Sequence, residues 1–132
     1  MALKKVSRKV EVLEIDGTKF HAERPNKATW DEYGDALFER DSETGELKIK
    51  SGRGLKALYV SCIKKIENVD IEQPDGTMKH VDALTDADEI VSFIQGLTDL
   101  DAGRQIDAWL IGLGELTKAE QKNSRGGPKL VS

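Results

Sequence analysis

Val10, Val12 and Glu14 fall on one face of an alternating run, Leu13 and Ile15 on the other, and Phe20 and Ala22 follow after Asp16-Gly17. Alternation on both sides of an Asp-Gly pair predicts a β-hairpin with a two-residue turn. Pro25 ends the second strand. Thr29 with Glu32 three residues later has the capping-box pattern and predicts a helix from about Trp30 to Arg40, with Trp30, Tyr33, Leu37 and Phe38 on one face. The segment DSETGELKIKSGRG reads as a polar loop with one short extended piece at Leu47 to Ile49. Leu55, Leu58, Tyr59, Cys62, Ile63 and Ile66 then recur at helical spacing and predict one amphipathic helix through all six.

Pro74-Asp75-Gly76 marks the turn of a second hairpin whose apolar positions are Val69, Ile71, Met78 and Val81. Thr85 and Asp88 offer another cap before a helix with Ile90, Phe93, Ile94 and Leu97 on one face, stopping near Gly96. A last helix is expected from about Leu100 to Leu116, with Ile106, Trp109, Leu110 and Leu113 on its apolar side. Gly112 and Gly114 weaken its far end, by up to ~1 kcal/mol each relative to Ala, and imply a close neighbour or a break. The predicted class is α+β: a mainly helical small domain with an N-terminal hairpin and a second short hairpin. No period of 20 to 50 residues repeats.

Length fits one globular domain over residues 1–122, followed by a flexible C-terminal tail at 123–132 whose apolar content is too small to anchor it. Cys62 is the lone cysteine, so no internal disulfide forms and a reducing compartment fits. MALKKVSRKV carries positive charge with no apolar run behind it, and the apolar stretches are too short to span a membrane. A cytoplasmic protein with no membrane association is therefore expected.

With 20 basic against 24 acidic residues the net charge is -4, which gives no bulk attraction to nucleic acid. The distribution is uneven. Lys48, Lys50, Arg53, Lys56, Lys64 and Lys65 occupy an acid-free stretch, whereas Asp82, Asp86, Asp88, Glu89, Asp99, Asp101 and Asp107 share theirs with Arg104 alone. Solvated helix faces and helix-dipole complementarity explain this. Complementary patches through which copies associate head to tail explain it too. On the second account Asp86, Asp88, Glu89, Asp99 and Asp101 are the self-association candidates.

His21 and His80 both fall in predicted strands, and neither has a ligand at metal-binding spacing. Cys62 lies in an apolar stripe, as a small buried hydrophobe does. SGRGLK lacks the phosphate-loop pattern, and no paired-carboxylate or nucleophile motif stands out. No cofactor, metal or catalytic activity is expected. The basic strip around Tyr59 raises a small nucleic-acid-binding regulator as an alternative, against which stand the acidic total and Tyr59's place on the apolar face.

From Lys9 to Leu116 the order of elements, with FHAERPNKATWDEYGDALFERD after the first strand and LKALYVSCIKKIENV after the polar loop, resembles the short tail assembly chaperones of long-tailed bacteriophages. The resemblance rests on a strand ending in an Arg-Pro step, a Thr- and Trp-bearing helix start, and a later apolar helix containing Cys. It implies a non-catalytic, self-associating protein that binds the tape measure protein and helps recruit tail tube subunits in the host cytoplasm, absent from the mature virion. It also implies a longer product made by ribosomal slippage, for which Gly127-Pro128-Lys129 admits the spelling C-CCA-AAG. A structural tail-completion or head-tail joining protein is the alternative within the same setting.

Two Trp, two Tyr and three Phe are all the aromatics, and four of them lie between Phe20 and Phe38. A helix of three turns needs one buried stripe, which assigns Leu37 and Phe38 to the core. Trp30 and Tyr33, expected at the exposed helix start, become partner-binding candidates together with Lys48, Lys50, Arg53 and Lys56. On this basis Trp30→Ala is expected to weaken binding without harming the fold.

Overall fold

Asp16 and Gly17 both take positive φ, 50° and 83°, the left-handed pair that a type I′ turn requires. They join β1 (Val10–Ile15) to β2 (Thr18–Glu23) in an unbroken antiparallel register from Ile15↔Thr18 to Val10↔Glu23. The second hairpin forms too, from β5 (Ile63–Glu72) and β6 (Met78–Leu84), with Gly76 at φ 87° in its turn. The two hairpins merge through β2 and β5 into one four-stranded antiparallel sheet of order β1-β2-β5-β6. The remaining elements are α1 (Lys27–Leu37), β3 (Phe38–Arg40), β4 (Leu47–Ile49), α2 (Ser51–Cys62), α3 (Ala87–Gln95) and α4 (Leu100–Ser124). This is a computed structural model describing Ala2 and residues 8–124, with side chains through residue 114. Helix makes up 44% and strand 32%, so the domain is the small α+β fold expected.

One face of the sheet carries Phe20, Ala22, Ile63, Ile66, Val69 and Leu84, all buried. Against it lie Leu58 and Cys62 of α2, Ile90 and Ile94 of α3, and Ile106 and Leu110 of α4. Of the faces expected for α3 and α4, Ile90, Ile94, Ile106, Leu110 and Leu113 are buried and Phe93, Leu97 and Trp109 partly so, with Val91 buried in addition, and Gly96 caps α3 as expected. Across β2, β5 and β6 the other face is largely polar, with Lys19 across from Glu67, His21 from Lys65 and Asp70 from His80, while at β1 it carries the exposed Val10 and Val12.

The long apolar period from Leu55 to Ile66 does not form one helix. α2 ends at Cys62, and Ile63 begins β5 with no residue between. Two irregularities give the strand a helix-like spacing. Ala22 pairs with Ile63 while His21 pairs with Lys65, so Lys64 is bulged out and Ile63 and Ile66 face inward together. Asn68 then takes a left-handed φ of 64° and turns Val69 inward three residues after Ile66.

Helix boundaries move for reasons of capping. α1 begins at Lys27 because Asn26, not Thr29, is its N-cap: Asn26 Oδ1 accepts from Thr29 N at 3.0 Å, and the Thr29 hydroxyl accepts from Asn26 N. Thr29 is itself buried, 1% exposed. α1 stops at Leu37, where Phe38 turns extended into β3, so the helix expected to reach Arg40 is cut short. Asp86 rather than Thr85 caps α3, accepting from Glu89 N at 3.1 Å.

α4 passes through both of its far glycines without a break. A Cβ at Gly114 would overlap Trp30 Cζ2, so here the glycine admits an indole from α1. Gly112 has nothing within 4 Å of a Cβ among the described residues. Of the expected tail, residues 123 and 124 continue α4 and the rest lies outside the described residues. The slippage expected at Gly127 to Lys129 also falls outside them.

The two glycines therefore respond oppositely to the same change. Gly112→Ala should raise stability by about 0.5–1 kcal/mol through helix propensity, whereas Gly114→Ala should lower it by about 1–3 kcal/mol through overpacking. Urea unfolding of both variants checks this, and a gain at Gly114 would contradict the Trp30 contact.

Candidate protein-binding surface

At the end of α1 the chain leaves the body as a two-stranded ribbon. Arg53 of α2 makes this possible by donating from Nε to the Ala36 carbonyl at 2.8 Å and from Nη2 to the Phe38 carbonyl at 3.3 Å. These are carbonyls a helix end leaves without intrahelical partners, and a cation suits them. Lys50 N also donates to the Leu37 carbonyl at 2.5 Å. The ribbon's turn is held by Asp41, whose Oδ1 accepts from Glu43 N at 2.7 Å and Thr44 N at 3.1 Å. Those amides, Thr44's foremost, hold the Asp41 carboxyl below its ordinary range.

Strands β3 and β4 pair Phe38 with Ile49, Glu39 with Lys48 and Arg40 with Leu47. Alternation puts Phe38, Ile49, Leu47 and Arg40 on one face of the ribbon and Glu39 and Lys48 on the other. The three apolar side chains are 44%, 68% and 54% exposed. This apolar strip with a polar rim is the candidate surface for a protein partner. Phe38, expected in the core, is thus a surface residue, because α1 ends one position before it. Leu37 is only half-buried.

Trp30 and Tyr33 lie elsewhere, and both pack against the core. Their rings meet edge to face, centroids 5.5 Å apart at 87°. A Cβ at Gly54 would stand 2.9 Å from Tyr33 Cε2, so glycine lets α2 approach Tyr33 as Gly114 lets α4 approach Trp30. The helix start that was expected to be exposed for a partner is therefore partly buried against the core. The early cap at Asn26 is the cause: it places Trp30 in the first full turn, over α4.

The basic candidates surround the ribbon but are not bare. Lys48 pairs with Asp41 at 3.4 Å, while Lys50 and Arg53 reach Glu39 at 3.6 and 3.7 Å. Lys56 is exposed on α2. The acidic candidates serve helix N-termini. Asp86 caps α3 with Asp88 and Glu89 in its first turn, and Asp99 Oδ1 accepts from Asp101 N and Ala102 N at the start of α4. Asp101 lies in that first turn. The unevenness of charge along the chain is mostly local capping and pairing in space.

A polar knot missed by the sequence sits where α1, α2 and β2 converge. Arg8 donates from Nε to the Arg24 carbonyl at 2.6 Å and from Nη2 to the Ser61 carbonyl at 3.2 Å, and its Nη1 lies 3.2 Å from Glu23 Oε1. Thr29 Oγ1 and Ser61 Oγ are 2.7 Å apart. Only the polarity of Thr29 and Ser61 at apolar-spaced positions signals it. Arg8 Nη2 also approaches Cys62 Sγ at 3.7 Å. Burial pushes the Cys62 thiol up despite that guanidinium, which makes it a poor nucleophile.

The remaining ionisable groups form pairs on strands and helices. His21 bonds to Glu67, which lowers the Glu67 carboxyl. His80 lies 2.9 Å from Asp70 and 3.3 Å from Asp82, and the Asp70 hydrogen bond raises its imidazole above the ordinary value. The buried Tyr59 hydroxyl donates to Asp107 Oδ1 at 2.5 Å, and burial followed by that bond pushes the phenol up. Among the described residues no group of His, Cys, Asp and Glu is arranged to hold a metal, and no helix is long and apolar enough to cross a membrane.

Comparison of this chain with protein families, curated proteins and solved structures finds no match.

Two outcomes follow from the geometry. Trp30→Ala should cost about 3 kcal/mol, as truncation of a packed aromatic does, while Phe38→Ser should shift stability by no more than about 0.5 kcal/mol. Chemical denaturation separates them, and a neutral Trp30→Ala would restore the exposed-aromatic view. His80, with its raised pKa, binds a proton in the folded state over a pH range where the unfolded chain has lost it. Its contribution to stability is therefore full below about pH 6.5 and fades as pH rises through the raised value. Unfolding of His80→Asn across that range should lack the slope.

Proposed function

We propose that this protein is a non-catalytic assembly chaperone of the long-tailed phage type. It holds the tape measure protein through the β3–β4 ribbon and helps recruit tail tube subunits in the host cytoplasm, without remaining in the finished particle. The observation that carries the proposal is the exposed apolar face of Phe38, Leu47 and Ile49. The order of elements supports it through its resemblance to that family.

A tape measure is a long, largely helical chain with apolar faces that aggregate when bare. One ribbon covers only a short stretch of such a face, so each contact is weak and reversible. Many copies along one client hold it by multivalency, and each can be displaced as tube subunits close around the client. Pairing of Lys48, Lys50 and Arg53 with Glu39 and Asp41 leaves little free positive charge at the ribbon. That supports an apolar client over nucleic acid, whose phosphates are bound through cations.

The test is co-expression with a tape measure protein of a long-tailed phage. The wild-type chain should keep that client soluble and co-purify with it, and Phe38→Ser combined with Ile49→Ser should lose both properties while keeping the native circular dichroism. A client that stays insoluble beside the wild-type chain overturns the proposal. Stoichiometric recovery of the chain from purified particles would instead favour a structural tail component.

A further inference from the structure

The four-stranded sheet has two outer edges, and they are built differently. The β6 edge carries Lys79, His80 and Asp82, and Asn68 of its partner strand β5 takes a left-handed φ of 64°. Charge and irregularity of that kind keep an edge from pairing with another chain. The β1 edge has neither a lysine nor a proline nor a bulge along its six residues. Its outward face presents Val10 and Val12, 60% and 51% exposed.

Hydrogen-bond parity shows which groups that edge offers. In a two-residue hairpin the residues flanking the turn form a hydrogen-bonded pair, here Ile15 with Thr18. Leu13 and Glu11 therefore also bond to β2, in line with the Arg24 N to Lys9 carbonyl bond of 2.9 Å one step further on. Val10, Val12 and Glu14 direct their N–H and C=O groups away from β2. Among the described residues no strand pairs with them.

We propose that β1 is a self-association edge that pairs antiparallel with β1 of a second copy about a two-fold axis. Centring the pair on Val12 sets Val12 against the same residue of the second copy and Val10 against Glu14. All the outward backbone groups of these three residues are then met. The four valines form one apolar strip on the outer face. Both acids of the strand have a cation beside them: Arg24, just past β2, has Nη2 3.1 Å from Glu11 Oε2, and Lys19 of β2 stands directly across from Glu14 in the register. Pairing two copies therefore does not set bare like charges together. The arrangement is isologous and closes at two, joining two four-stranded sheets into one of eight strands. A contact of this length is smaller than a standard stable interface, so the dimer forms in a concentration-dependent way.

This site is separate from the ribbon and does not depend on what the ribbon binds. Sedimentation velocity of the full chain from micromolar to near-millimolar concentration tests it. The wild-type protein should shift from monomer to dimer. Val12→Pro, which removes only an outward N–H, and Val12→Lys, which leaves the backbone intact, should both stay monomeric with unchanged circular dichroism. Phe38→Ser should dimerise like wild type. A wild-type chain that stays monomeric throughout overturns the proposal. So does a dimer that survives Val12→Lys, or one that is lost on Phe38→Ser instead.

Discussion

The Arg8 guanidinium holds together the point on which the arrangement turns, the junction where α2 passes into β5 without a connecting residue. It donates to the Ser61 carbonyl in the last turn of α2, to the Arg24 carbonyl just beyond β2, and lies against Glu23. The last carbonyls of a helix have no partner of their own, and a buried one left unmet costs about 1–3 kcal/mol. Because no loop intervenes, the direction of α2 over the sheet is set by this junction. Thr29, bonded to Ser61, ties α1 to the same place. Once α1 lies along α2, its aromatic side faces inward, where Gly54 receives Tyr33 and Gly114 receives Trp30.

The same geometry decides which apolar surface is left exposed. With α1 packed along α2 and Trp30 set against Gly114 of α4, the chain continues at the exposed Phe38 into a ribbon whose apolar face is left open among the described residues. Arg53 supports that ribbon from behind through the Ala36 and Phe38 carbonyls. Arg53, a partner-contact candidate from the sequence, thus bonds the backbone where the ribbon begins. The surface proposed for a client and the edge proposed for pairing of copies lie on different elements, the β3–β4 ribbon and β1, so neither proposal depends on the other.

Much of this was legible in the chain, and the misses share a cause. Asp16-Gly17 and Pro74-Asp75-Gly76 announce their hairpins because a turn depends on its own residues. The faces of α3 and α4 were readable for the same reason: one helix, one period, one buried stripe. Ile63, Ile66 and Val69 misled because a bulge at Lys64 and the left-handed Asn68 give a strand the three-residue spacing of a helix. Trp30 and Phe38 exchanged places because the cap at Asn26 moved α1 by three residues, and a shift of that size changes which residues end inside. The charge pattern looked bipolar along the chain, but Glu39 and Asp41 come back to meet Lys48, Lys50 and Arg53 only when β3 and β4 pair. Arg8 was invisible, since its partners, from Glu23 to Cys62, lie far along the chain.

The central claim is that partners meet the ribbon while the aromatic start of α1 stays within the packing. Hydrogen–deuterium exchange of the chain, free and bound to its client, tests that most directly. The account predicts protection gained over residues 38–49 on binding and no change over residues 27–33. Protection gained over 27–33, with 38–49 unaltered, would contradict it.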